Sequence, residues 1–340
     1  MGTIDLPVLR FDVTTNDWVL FAPARARRPH SRSGDEVSND ASPCPFCPGN
    51  EHLAAEELLR EPDEHGVPWR VRVVRNKYPA LDPAASPDQT GFGPGFRQMG
   101  GYGVHEVVIE SPEHSLRLPE QSADQVERVL RVLHTRFTRL MTDPRLRAIV
   151  AFKNQGERAG TSLAHPHWQL IATPVVPSLL RHKHIVATEY FDRTGASLYT
   201  VALEEELAAQ TRVLASNAAF VALLPFASHV PYQIRILPRE PRGSFAHVQP
   251  HSFRPLAEIL RDVLSRLDRA LDAPDFNLTV ATAPLGDENE PYFIWHIDVL
   301  PRLTTPAGFE LGSGMAINPV LPEDAVVALR AAEIREESPG

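Results

Sequence analysis

The alternation of apolar and polar positions divides the 340-residue chain into two runs with the same order of elements: strand, helix, strand, loop, strand. In the first run, residues 104–109 alternate as a strand that ends at Ser111-Pro-Glu-His114. Val126, Val129, Leu130, Leu133, Phe137 and Leu140 then give one apolar face to a helix over about residues 122–141. A strand over residues 147–152 passes through the loop Lys153-Asn-Gln-Gly156. The run closes on Gly160-Thr-Ser-Leu-Ala-His-Pro-His-Trp-Gln-Leu170. The second run answers it piece by piece. Residues 231–241 correspond to 104–114, a helix over about 253–271 to the first helix, 276–282 to the second strand, and 294–302 to 165–174. An α+β chain of two similar halves follows, divided at 1–178 and 179–340.

Outside the repeat, Trp18-Val-Leu-Phe21 and residues 69–74 read as strands. Residues 82–101, rich in Pro, Gly, Asp and Ser, read as one long loop. The connection between the halves is expected to hold a helix over 179–191, another over about 199–216, and a strand over 219–224. A helix over 323–337 ends the chain.

Composition narrows the function classes. Hydrophobic content of 43% and charged content of 23% are ordinary for a globular protein. A formal net charge of -9 gives no broad attraction to nucleic acid or to an anionic membrane, so any phosphate site has to be local. No apolar run is long enough to span a bilayer, and the first residues lack the basic and apolar regions of a secretion signal. The expectation is a cytoplasmic protein with neither a nucleic-acid nor a membrane partner.

Chemistry concentrates in residues 160–170. If a strand runs on from Trp168, alternation places His165, His167 and Gln169 on one face. The two cysteines, Cys44 and Cys47, flank a Pro-Phe pair ahead of Pro48-Gly49. Such a turn suits two thiolates meeting one zinc ion; a redox pair is the rival reading. Cys44, Cys47, His114 and His165 would complete a closed tetrahedral site, structural because no position stays open, with His105 as an alternative ligand. His167 is left as the reactive imidazole, able to attack the α-phosphorus of a nucleotide. Gln169 can donate to a non-bridging phosphate oxygen without offering a proton-transfer route. Gly160, Thr161 and Ser162 can cradle the leaving phosphate. Arg25 and Arg28 are either solvated or spaced to reach one diphosphate.

At these residues the chain resembles galactose-1-phosphate uridylyltransferase and its relatives, the transferase branch of the histidine-triad superfamily. Arg25-Ala-Arg-Arg-Pro29, Cys44-Pro-Phe-Cys-Pro-Gly-Asn50, Arg75-Asn-Lys-Tyr-Pro-Ala-Leu81, Ser111-Pro-Glu-His-Ser115, Asn154-Gln-Gly156 and Gly160-Thr-Ser-Leu-Ala-His-Pro-His-Trp-Gln169 stand in the family's order. The resemblance implies a duplicated histidine-triad-like fold, with antiparallel sheets, packed helices and a homodimer. It implies ping-pong transfer of UMP from UDP-glucose to galactose 1-phosphate, a nucleotide sugar and a hexose 1-phosphate being the substrates. His167 would be the nucleophile and Gln169 its partner; Arg25, Arg28, Asn76, Asn154 and Ser162 match substrate-binding positions. Cys44, Cys47, His114 and His165 match the structural zinc ligands. A second metal is not expected, because Pro241 and Ile294 stand where two histidines would be, with only His296 kept and Lys183 near the place of a glutamate. Trp168 would narrow or support the pocket. An adenine-nucleotide relative, using ADP-glucose or a dinucleoside polyphosphate with phosphate as acceptor, is the nearest alternative. A non-catalytic nucleotide-binding protein is the third.

Overall fold

The computed structural model describes residues 6–27, 43–62, 68–91 and 95–332. The chain enters through a hairpin, β1 (Val8–Asp12) and β2 (Asp17–Phe21). It then forms β3 (Glu57–Glu61), β4 (Val71–Arg75), the small hairpin β5 (Gln89–Gly91) and β6 (Arg97–Met99), and β7 (Val104–Ile109). Helix α1 (Ala123–Leu140), β8 (Ala148–Gln155) and β9 (His167–Thr173) complete the first run. Helices α2 (Ser178–Thr194) and α3 (Leu198–Ala209) lead to β10 (Val213–Ser216), β11 (Phe220–Leu223) and β12 (Ile234–Pro238). The second run closes with α4 (Phe253–Leu271), β13 (Phe276–Ala281) and β14 (His296–Pro301). Short α5 (Gly308–Ser313), β15 (Ile317–Asn318) and α6 (Pro322–Ala331) follow.

Ten of these strands make one sheet in the order β10-β11-β12-β14-β13-β8-β9-β7-β4-β3. Every neighbouring pair is antiparallel. Read outward from its centre, the sheet is β8-β9-β7-β4-β3 on one side and β13-β14-β12-β11-β10 on the other, which is the duplication expected from the sequence. The halves meet at β8 and β13, where Asn154 pairs with Asn277. Helices α1 and α4 pack against each other on one face of the sheet. Their apolar stripes cover Trp168, Leu170 and Ala172 of β9 and Ile297 and Val299 of β14. Burying side chains the size of Leu170, Ile297 and Val299 contributes about 1.5–3 kcal/mol each. Ser122 caps α1 by accepting from the Gln125 backbone N–H at 3.2 Å.

Two expectations need correction, and one strand was not expected. The helix expected over 199–216 stops at Ala209, because Gln210 takes a left-handed conformation (φ 55) that ends it. Val213–Ser216 then pairs with β11 as an edge strand. The long loop 82–101 contains the β5–β6 hairpin. Strand β3, with its mixed Glu-Leu-Leu-Arg-Glu sequence, carries no alternation that would have identified it. Of the helix expected over 323–337, α6 accounts for the part up to Ala331, and residues 333–340 lie outside the described residues.

The two halves treat their second sheet face differently. In the C-terminal half, α2 and α3 cover it, burying Ala187, Tyr199 and Leu203 against Val221, Leu223, Leu237 and Phe293. In the N-terminal half, Phe152, Asn154, Gln169 and Ile171 stay half-buried on that face. His296 opens β14 as His167 opens β9, and the two rings are held alike. Nδ1 of each lies 2.9 Å from the carbonyl oxygen two residues earlier, on His165 and on Ile294. The covered copy is filled with charge pairs: Arg235 donates twice to Asp298, at 2.8 and 3.1 Å, and Lys183 lies 4.0 Å from the same carboxylate.

Burial, aided by the Arg235 charge, pushes the fully enclosed His296 down to about 3. An unfolded chain would protonate it near the ordinary histidine value of about 6.5. The neutral ring therefore costs no stability above that pH, and stability is lost as pH falls from 6.5 toward 3. In urea titrations between pH 6.5 and 4.5, His296→Phe should flatten the slope of unfolding free energy by up to about 1.4 kcal/mol per pH unit. An unchanged slope would mean that the ring is not held neutral in the fold.

Candidate active site

The site grows from the N-terminal end of β9. Alternation sends Trp168 and Leu170 into the helix-side core and His167 and Gln169 to the open face. Trp168 is completely buried there, so it supports the strand from behind and does not narrow the pocket.

Residues 44–50 form a tight turn in which the Cys47 N–H donates to Cys44 O (3.3 Å), the Asn50 N–H to Cys47 O (3.1 Å) and the Asn50 amide to Cys44 O (3.0 Å). Gly49 sits at φ +87, which closes this turn at no steric cost. The turn aims both sulfurs at two imidazoles. Cys47 Sγ lies 3.3 Å from His114 Nδ1 and 3.6 Å from His165 Nδ1, and Cys44 Sγ lies 3.8 Å from His165 Nδ1. One ligand atom from each of the four residues falls within 4.8 Å of the others. Those spacings suit the edges of a tetrahedron with bonds of about 2.0–2.3 Å, so the four residues can hold a metal ion. His165 Nε2 donates to the carbonyl of Ser111 at 2.7 Å, which leaves Nδ1 with its lone pair toward the cluster. His114 belongs to the turn beyond β7 and is exposed, not at the strand's end as the sequence suggested. His105, the alternative ligand, is directed elsewhere.

His167 is 5% exposed, with its edge against Phe46 (5.5 Å between ring centres). Burial pushes its ring down to about 4, helped by the nearby charge of Lys153, so it is neutral near pH 7. Its Nδ1–H donates to His165 O at 2.9 Å, leaving the Nε2 lone pair free for attack. Gln169 lies two residues along on the same face, with Oε1 2.8 Å from His105 Nε2. Asn76 Nδ2 approaches the same nitrogen at 3.1 Å. Asn154 is held by a residue of the second half: Asn277 Nδ2 donates to Asn154 Oδ1 and to Ala159 O, both at 2.9 Å. Ala159 leads into Gly160, which takes a left-handed conformation (φ +84). Thr161 donates to Leu163 O at 3.0 Å, and Ser162 is exposed. Gly156 (φ +87) has no room for a side chain, since a Cβ there would stand 1.8 Å from the Asp275 carboxylate.

Arg25 comes from a different element. It lies in the 3-10 turn after β2, on a hairpin tied to the C-terminal half through Arg10–Glu323 and His229–Asp12. Among the described residues its side chain makes no hydrogen bond or ion pair. Arg28 lies outside the described residues. A groove of about 900 Å³ between β3 and α1, lined by Glu57, Arg60, Asp124, Glu127 and Arg128, holds none of the site residues.

Sequence reading missed the supports beneath the site. Lys153 and Glu110 form a fully buried ion pair at 2.5 Å, and Gln121 donates to the other carboxylate oxygen at 2.9 Å. The pair anchors the segment that carries Ser111 and His114. Its only sequence trace is two charges inside otherwise apolar strand ends. Removing one member of such a pair leaves a buried charge alone, at a cost of about 3–5 kcal/mol. Lys153→Met should therefore lower the urea-unfolding free energy by that order, and adding Glu110→Gln should recover a large part of it. A double variant no better than the single one would refute this account.

Known proteins resemble this chain over most of its length. Residues 3–177 match the family model described as galactose-1-phosphate uridyl transferase, N-terminal domain. An ADP-glucose phosphorylase of Arabidopsis thaliana is 35% identical, over 95% of this chain and 92% of its own length. A crystal structure of an ADP-glucose phosphorylase from the same plant, with bound ADP-glucose, superposes with a TM-score of 0.84 at 33% identity. It covers 97% of this chain and 100% of that one. The galactose-1-phosphate uridylyltransferase of Thermotoga maritima is 27% identical, over 96% of this chain and 98% of its own. The chain belongs to the galactose-1-phosphate uridyl transferase family and is an enzyme of the nucleotidyltransferase class.

Proposed function

We propose that this enzyme transfers a nucleoside monophosphate from a nucleotide sugar to a phosphate-bearing acceptor, through a covalent adduct on His167. The observation that carries the reading is the state of that ring: neutral, with Nδ1–H bonded to His165 O and the Nε2 lone pair free. Attack by Nε2 on the α-phosphorus forms a P–N bond. The P–O bond to the distal phosphate breaks, and its electron pair leaves with the sugar 1-phosphate. In the second half, an oxygen of the acceptor phosphate attacks the same phosphorus, and the P–N electron pair returns to Nε2. Gln169 donates to the non-bridging oxygens as charge shifts among them. Asn76, Asn154, the Gly160-Thr-Ser162 backbone, Arg25 and Arg28 hold the diphosphate and the sugar. The first half, up to about residue 178, supplies the chemistry, and the second helps to enclose the substrate.

ADP-glucose with inorganic phosphate as acceptor is the favoured pair. The support is the Arabidopsis relative, whose name and bound ligand both point to ADP-glucose and which is more similar to this chain than the Thermotoga transferase. UDP-glucose with galactose 1-phosphate is the second reading, supported by the Thermotoga relative and the family model. Incubation with labelled nucleotide sugar and no acceptor separates them. A stable adduct is expected with ADP-glucose, lost in His167→Gly. An adduct formed only with UDP-glucose moves the assignment to the second reading, and no adduct with either overturns both.

The Cys44–Cys47–His114–His165 cluster is proposed to bind one zinc ion with a structural role, since two thiols and two imidazoles suit zinc and close its coordination. We also propose a cytoplasmic homodimer; Leu9, Phe11 and Trp18 stand exposed on one face of the β1–β2 hairpin, available to a second copy. Metal analysis should find about one zinc per chain. Cys47→Ser should lose most of it and unfold at lower temperature, because binding energy of this kind is folding energy. Full metal content in that variant would remove Cys47 from the site.

A further inference from the structure

Gln169 helps a phosphoryl transfer only when its amide is turned one way. Its N–H end stabilises oxygens gaining negative charge, and its carbonyl end repels them. We infer that His105 is the positioning residue that turns it, and that the backbone of the segment after β4 sets His105 in turn. This deepens the reading of His167 as the nucleophile and rests on it.

The polarity can be followed bond by bond. The Ala80 backbone N–H, which can only donate, lies 3.1 Å from His105 Nδ1. A neutral imidazole has one donor nitrogen and one acceptor, so accepting at Nδ1 places the proton on Nε2. That Nε2–H needs an acceptor, and Gln169 Oε1 lies 2.8 Å away. The Gln169 amide nitrogen is thereby turned away from His105 with both hydrogens unspent. Asn76 is fixed by the same logic. The Tyr78 backbone N–H donates to Asn76 Oδ1 at 2.9 Å, so the atom 3.1 Å from His105 Nε2 is the amide nitrogen. It meets no lone pair there, and its hydrogens are left for another acceptor.

His105 is well placed for this task. It is 9% exposed and sits on β7, which pairs with β9 so that Val107 faces Gln169. Alternation then puts His105, Val107, His167 and Gln169 on one face of the sheet. The segment also closes on β7 directly, the Asn76 N–H donating to His105 O at 2.9 Å. Two backbone N–H groups in residues 76–80 thus dictate that two side-chain amides offer donors. The same histidine would be inert in this role with its proton on the other nitrogen.

Single-turnover formation of the His167 adduct tests the inference through a double-variant cycle. His105→Leu should slow adduct formation by roughly tenfold, the effect of one lost orienting hydrogen bond. His105→Gln, whose amide places an N–H near the position of Nε2, should recover most of the rate. In a Gln169→Ala background, His105→Leu should change the rate by less than about twofold, because nothing remains to be oriented. Equal loss in both backgrounds would mark His105 as merely structural and overturn the proposal. Nitrogen-15 NMR of labelled histidine gives an answer independent of activity. The His105 signals, assigned by their loss in His105→Gln, should show the proton on Nε2, and a proton on Nδ1 would overturn the proposal. Absence of any adduct in the unaltered enzyme, with the Nε2–H form intact, would count against the His167 reading alone.

Discussion

One strand, β9, has to satisfy two environments at once, and the period-two geometry of a strand is what allows it. Trp168, Leu170 and Ala172 bind the sheet to the α1–α4 layer, while His167 and Gln169 lie on the opposite face. A slip of one residue would put the Trp168 indole where the His167 imidazole stands. Much of the neighbouring structure resists that slip. Pairing with β7 and β8 on both sides fixes the register. The four-ligand cluster clamps His165 just ahead of the strand, and the buried Lys153–Glu110 pair holds the segment whose Ser111 carbonyl orients that histidine.

The site is also one of controlled direction. His165 and His167 each spend one ring nitrogen on a backbone carbonyl so that the other keeps its lone pair, toward the Cys44–Cys47–His114 cluster in the first and free in the second. Asn154, held by Asn277, is fixed at the amide oxygen, which leaves its nitrogen free. Neutral groups with assigned polarity suit a reaction that passes a phosphoryl group without needing a proton carrier.

The candidate site residues were legible in the sequence because they are adjacent in it or share a strand period. Alternation alone placed His167 and Gln169 together, and ligand chemistry alone assembled the metal cluster from distant positions. The duplication was legible because helix and strand periods differ and recur in order. What escaped depends on pairing between distant segments. Asn277 meets Asn154 only through the β8–β13 register, and His105 finds Gln169 only once β7 lies beside β9. Of the two roles open to Trp168, narrowing the pocket or supporting it, the odd-even rule selects support, because it sends the ring into the core behind the strand. Strand β10 was taken for helix because the left-handed Gln210 has no sequence signature as strong as a glycine.

The seam between β8 and β13 gives the duplication a further meaning. The halves share one hydrogen-bonded sheet, so neither owns a complete boundary of its own. Cutting the chain between them would turn β8 into a raw margin with unpaired N–H and C=O groups, and would strip Asn154 of its cross-strand partner. Such a margin invites self-association. The second half thus serves the first as a splint, closing its sheet margin and holding Asn154 through Asn277.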